Sequence, residues 1–176
     1  MKSQRPHLWL VAMVTAGCVA WAPGEEPALV FDKTTYYLRY APAGSESGLR
    51  EFLPAGETLK KWNRMVSIRK YPGLVDPKAF AQQVADQAVA SGPNAKSQVL
   101  QNERTGAYIA DFLVFPPAET NPYFAEWNLM RVTKRGGGLE VVQYARRFYK
   151  INASTSEKLI AERRRILPLL SDFSVP

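Results

Sequence analysis

The chain has 176 residues, 46% hydrophobic and 11% aromatic, with a formal net charge of +7. That length and aromatic content suit one folded domain with a real core and argue against disorder. It holds one cysteine and one histidine, which excludes an intrachain disulfide, a Cys/His zinc site and the usual ligand sets of haem and iron–sulfur centres.

The N-terminus comes first in chain order. Lys2 and Arg5 give a positive start, residues 8–16 carry no charge, and Ala16, Gly17 and Cys18 follow. A charged start, a short apolar run and a small-residue exit are the parts of a secretory signal. The apolar run is roughly 15 residues, shorter than the about 20 needed to span a membrane. Thr15-Ala16-Gly17-Cys18 resembles the lipobox of bacterial lipoproteins, in which the cysteine becomes the lipidated first residue. The alternative exit is Ala20-Trp21-Ala22, which would leave a soluble periplasmic protein. We therefore expect a signal peptide over residues 1–17, a tether over 18–28 rich in Pro and Gly, and one domain over 29–176. His7 would leave with the signal and Cys18 would be blocked by lipid. The domain would then lack the Ser-His-Asp and Cys-His nucleophile systems. No catalytic residue, metal ligand or cofactor is assigned.

Residues 34–40 are rich in threonine and tyrosine and predict a strand. Residues 41–48 predict a loop, 49–53 a second strand, 56–62 a helical turn and 65–71 a third strand. Asp76-Pro77 predicts a helix start, since Asp caps free N–H groups and Pro costs nothing at the first position. Phe80, Val84 and Ala88 then recur at helical spacing, and Gly92-Pro93 closes the helix. Strands are predicted over 97–103, 106–115, 126–134 and 139–150. A final helix over 154–167 opens on a capping box, Ser154 to Glu157. Strands joined by short turns must be antiparallel. The expected fold is α+β: a single antiparallel sheet of about six to seven strands with two helices packed on it.

Two motifs carry a resemblance. Phe52-Leu53-Pro54-Ala55-Gly56-Glu57 with Trp62-Asn63-Arg64-Met65 resembles a motif of small, uncharacterised bacterial exported proteins. The last helix running into Ile166-Leu167-Pro168-Leu169-Leu170-Ser171-Asp172-Phe173 is similar to the end of PsbP-like domains. Together they cover about half the chain. The resemblance implies a PsbP-like sandwich of sheet and helices, and adaptor or assembly roles rather than catalysis.

Charge is uneven. Residues 25–126 hold 11 basic and 12 acidic side chains, whereas residues 127–176 hold 10 basic and 4 acidic. The candidate anion- or partner-binding residues are therefore Arg131, Arg146, Arg147, Arg163 and Arg164. Outside the cytoplasm the matching partners are an envelope protein, anionic lipid or acidic polysaccharide, and nucleic acid is not expected. The competing reading is a carboxylate-dependent hydrolase of cell-envelope glycans, built on acids such as Asp111, Glu119 and Glu126.

Two structural expectations attach to these arginines. A two-residue turn at Gly136-Gly137 would place Trp127 opposite Arg146, Leu129 opposite Tyr144 and Arg131 opposite Val142, with Arg146 stacked on Trp127. On the last helix, Leu159, Ile160, Ile166, Leu167 and Leu170 share an arc with Arg163 at its middle and Arg165 nearly opposite. Arg163 should be covered and paired.

Overall fold

A computed structural model describes residues 29–43 and 48–175. The expected signal peptide (1–17) and tether (18–28) lie outside the described residues. The elements run β1 (Leu29–Phe31), β2 (Thr34–Tyr40), β3 (Arg50–Pro54), β4 (Arg64–Pro72), α1 (Pro77–Ala90), β5 (Lys96–Gln101), β6 (Tyr108–Val114), β7 (Ala125–Arg135), β8 (Gly138–Phe148) and α2 (Ser154–Asp172). All pairings are antiparallel, in one eight-stranded sheet of order β1-β2-β3-β4-β8-β7-β6-β5. The expected α+β architecture is present, with eight strands rather than six to seven. The additional strand is β1, three residues long, too short to show a period in the sequence.

The hairpin β7–β8 sits at the centre of the sheet. Gly136 and Gly137 both take positive φ, +56° and +78°, as a two-residue hairpin turn requires. The register follows: Arg135 faces Gly138, Arg131 faces Val142, Leu129 faces Tyr144 and Trp127 faces Arg146. Because side chains alternate along a strand, Trp127, Leu129, Arg131, Tyr144 and Arg146 share one face. Glu126, Asn128, Met130, Gln143, Ala145 and Arg147 share the other.

The two helices take opposite faces. On one, α1 lays Phe80, Ala81, Val84 and Ala88 on Ala110, Phe112, Met130, Val132 and Val141. Asp76 caps it as expected, accepting a hydrogen bond from the Ala79 N–H at 2.9 Å, with Pro77 in its first turn. On the other face, Ile166 and Leu170 of α2 pack among Phe31, Tyr36, Val66, Ile109, Trp127, Leu129 and Tyr144. This core draws residues from β1 at one edge of the sheet and from β6 near the other. The sheet therefore curls about α2, and strands near both edges touch it: Phe31 lies edge-on to Phe173, and Asp111 pairs with Arg163.

Three local expectations are corrected. Residues 56–62 form no helical turn; Thr58 and Lys61 close a tight bridge there instead. The capping box is not made, because the Ser154 hydroxyl donates to Asn152 Oδ1 at 2.8 Å, and Asn152 also takes the Ser154 N–H. The last helix does not stop at residue 167. It continues through Pro168 to Asp172, because Leu170 is fully buried in the core and Pro168 lies on the exposed side, where water can satisfy the carbonyl that proline leaves free.

Candidate functional site

The five arginines singled out from the sequence part company. Three serve the α2–sheet junction. Arg163 is 30% exposed at its side chain, and its Nε donates to Asp111 Oδ2 at 2.6 Å. Asp111 also accepts from Trp127 Nε1 and Gln98 Nε2, each at 2.8 Å. Arg146 pairs with Glu162 at 3.3 Å, and Glu162 accepts a hydrogen bond from the Tyr144 hydroxyl at 2.5 Å. Arg131 is buried and donates to the Phe173 carbonyl. Burial lowers its pKa, partly offset by Glu140. Burial, followed by the charge and hydrogen bond of Glu162, pushes the Tyr144 phenol well above its ordinary range.

The expected covering and pairing of Arg163 is present. Three details differ. Arg146 lies over the Phe148 ring at 5.2 Å rather than on Trp127, whose ring meets Tyr144 edge-on. The cause is Glu162, which draws the guanidinium toward the helix. Ile160 stays 48% exposed. Arg165 is paired with Asp32 of the β1–β2 turn, because the sheet curl carries that turn to the helix.

Arg147 points to the α1 face, into a different setting. Its guanidinium carbon lies 4.0 Å from the Trp62 ring centroid and 4.2 Å from that of Phe124, so both rings flank it. Its Nε donates to Glu126 Oε2 at 2.7 Å. Glu126 begins a chain of side-chain hydrogen bonds over the sheet. Asn128 Nδ2 donates to Glu126 Oε1 at 3.3 Å, Gln143 Nε2 to Asn128 Oδ1 at 2.7 Å, and the Ser67 hydroxyl to Gln143 Oε1 at 3.3 Å.

The segment 52–65 builds the surroundings of Arg147. Glu57 Oε2 accepts the N–H groups of Asn63 and Arg64 at 2.7 and 3.1 Å, which folds residues 52–65 into one loop. The Tyr149 hydroxyl donates to the Trp62 carbonyl at 2.8 Å and fixes Trp62 beside Arg147. Beneath, Trp62, Leu53 and Ala145 form a small buried cluster with Leu59 and Met65 against it.

Two charged side chains in this region lie low in the sheet. Glu51 is only 5% exposed. Arg69 Nε is buried without a hydrogen-bond partner. Burial raises the Glu51 pKa; the charges of Arg69 and Arg147 oppose that and Glu126 adds to it. Sequence reasoning missed Glu51, Arg69 and Trp62. The signal was present only as a pattern: on an otherwise apolar sheet, Glu51, Ser67 and Gln143 fall opposite one another in three adjacent strands.

The acids proposed for hydrolysis do not converge. Asp111 faces Leu129 in the register and lies on the α2 face, whereas Glu126 lies on the α1 face. Glu119 is in the exposed loop after β6. No group of three or more His, Cys, Asp or Glu is placed to hold a metal ion among the described residues. No helix among them is long and apolar enough to cross a membrane. Arg164 is exposed on the outer side of α2.

A protein-family profile matches residues 23–173. The chain belongs to this uncharacterised family. The match takes in all eight strands and both helices, hence the loop that carries Trp62 and the whole α2 junction, and leaves residues 1–22 outside. No curated protein matches the chain.

Proposed function

We propose that this family member is an exported, non-catalytic binding protein of the bacterial envelope, anchored through a lipidated Cys18, and that it grips a protein partner through Arg147, held between Trp62 and Phe124. The observation that carries this reading is the clamped state of Arg147. A guanidinium held between two rings and tied at Nε has already lost most of its freedom, so binding costs little further entropy. Its remaining N–H groups suit a partner carboxylate in two-pronged fashion. Arginine is also among the residues that dominate interface energies, and the buried Trp62 holds this one in place.

The neighbouring Arg69 Nε supports the same reading, since a polar atom buried without a partner is costly unless something completes it. The likeness to PsbP-like domains belongs to this proposal, because such domains serve mostly as adaptors and assembly factors. Arg131, Arg146, Arg147 and Arg163 each have an internal acceptor; of these Arg147 is the one tied through Nε and flanked by two rings, and Arg164 is exposed.

The test is co-purification from solubilised membranes at low and high salt, with wild type, Arg147→Lys and Arg147→Ala. Lysine keeps the charge and loses the fork. Both variants are expected to melt cooperatively and to lose the partner that wild type retains at low salt. Retention by both variants would contradict the reading.

A further inference from the structure

Of the ten basic side chains in residues 127–176, Arg165 pairs with Asp32, Lys134 is exposed near the end of β7, and the other eight form two groups. Arg131, Arg135, Arg146, Arg147 and Arg163 are spent on internal acceptors: the Phe173 carbonyl, Glu140, Glu162, Glu126 and Asp111. Lys150, Lys158 and Arg164 have no ion pair among the described residues, and all three are exposed. They lie in the β8–α2 loop and the first three turns of α2. Exposed apolar side chains stand among them, Ile151 at 46% and Ile160 at 48%. Ile160 and Arg164 are one helical turn apart on the same side. The exposed Glu157 stands on the same side, which leaves three cations against one anion around two exposed isoleucines, a net positive, partly apolar surface of the kind that suits an anionic lipid interface.

The tether supplies the second argument. Cys18 is separated from Leu29 by 10 residues, which span at most about 35 Å. Leu29 opens β1, and β1 is tied to α2: Phe31 packs on Phe173, and Asp32 at the following turn pairs with Arg165. An anchor at Cys18 therefore keeps the domain within about 35 Å of the bilayer, with the tether joining it at the strand that packs beside α2.

We infer that the outer side of α2 with the β8–α2 loop, through Lys150, Ile151, Lys158, Ile160 and Arg164, docks on an anionic phospholipid surface. The inference rests on the anchored reading above and adds an orientation. The α2 side lies on the lipid, and Arg147 with its flanking rings, on the opposite face of the sheet, points away from it. Lipid contact and partner contact thus use opposite sides of one sheet.

The chain allows a clean probe, since its one cysteine is the residue to be acylated. Full-length lipidated protein carrying Ala161→Cys on the outer side of α2, or Gln82→Cys on the exposed side of α1, is spin-labelled and reconstituted. Vesicles contain phosphatidylethanolamine with phosphatidylglycerol, or phosphatidylcholine alone. A water-soluble paramagnetic quencher reports accessibility. The position-161 label should be shielded in the anionic vesicles and open in the neutral ones, while the position-82 label stays open in both. Adding Lys158→Glu with Arg164→Glu should reopen position 161, with about fivefold loss in the docked equilibrium per cation removed. Equal accessibility at 161 and 82 in the anionic vesicles, or shielding of 82 instead, would overturn the inference. The intact mass of the same preparation reports acylation separately. An unacylated chain still shielded at 161 would sustain the α2 contact and contradict the anchor.

Discussion

Removing the Arg163 guanidinium tests how α2 is held. Asp111 is 6% exposed at its side chain and Arg163 30%. Breaking a fully buried pair costs about 3–5 kcal/mol, because the remaining charge is left uncompensated. Here two effects reduce that figure. Asp111 keeps its hydrogen bonds from Trp127 and Gln98, and water already reaches part of the arginine. We therefore expect Arg163→Ala to destabilise by about 2 kcal/mol. In a domain of this size that is a fall in Tm of about 4–8 °C. Arg164→Ala is the matched control: one residue on, exposed and without an ion pair among the described residues, it should change stability by less than about 0.5 kcal/mol. Arg165 is unsuited to that role because it pairs with Asp32. Urea denaturation of both variants, with a double-mutant cycle through Asp111→Asn, gives the coupling directly. A coupling of at least about 1 kcal/mol is expected for residues in contact. Equal, small effects at positions 163 and 164, or strict additivity in the cycle, would refute the reasoning.

Trp127→Phe removes the N–H donor to buried Asp111 together with part of a fully buried ring, and should cost at least about 1–3 kcal/mol by chemical denaturation. Gly138→Ala would bring a Cβ to 2.6 Å from the Tyr71 carbonyl oxygen and 3.0 Å from Pro72 Cα, so a loss of about 1–3 kcal/mol is expected, with Gly92→Ala, which meets nothing, as the neutral control. Glu51→Gln carries a pH signature. Burial raises the folded-state pKa of Glu51 above its ordinary value of 4.5. The folded protein therefore binds more protons than the unfolded chain between the two pKa values, and stability falls as pH rises through that interval. The variant should melt higher than wild type at neutral pH, and the gap should close as pH drops below the ordinary carboxyl range; a gap independent of pH would contradict this account of Glu51. Chelators should leave the melting temperature unchanged, since no ligand group for a metal is assembled among the described residues.

What could be read in the sequence was local chemistry. Gly136-Gly137 set the hairpin register because few residues tolerate positive φ at both turn positions, and from that register the partition of Arg146 and Arg147 between faces followed by alternation alone. Asp76-Pro77 marked the start of α1 for a similar reason. What could not be read was whatever depended on the curl of the sheet. Asp32 reaches Arg165 only because β1 folds back to α2, and nothing near residue 32 in the chain announces a partner 133 positions on. Trp62 and Phe124 reach Arg147 from two separate loops, so this clamp has no spacing of its own. The extension of α2 past Pro168 was decided by the burial of Leu170, a tertiary effect that outweighs the local cost of proline. Asn152 displaced Ser154 as the residue organising the helix start because both can hydrogen-bond the same free groups, and composition does not rank them.

The anchor joins the proposed function to the proposed orientation, and one measurement addresses it. Native protein is extracted from membranes and its intact mass and N-terminal peptide are determined. The account predicts a chain that begins at Cys18, carries covalent acyl groups on that residue, and loses both the acyl mass and its membrane association in Cys18→Ser. A native chain with a free N-terminus at Trp21 or Pro23 and no acyl group would contradict it.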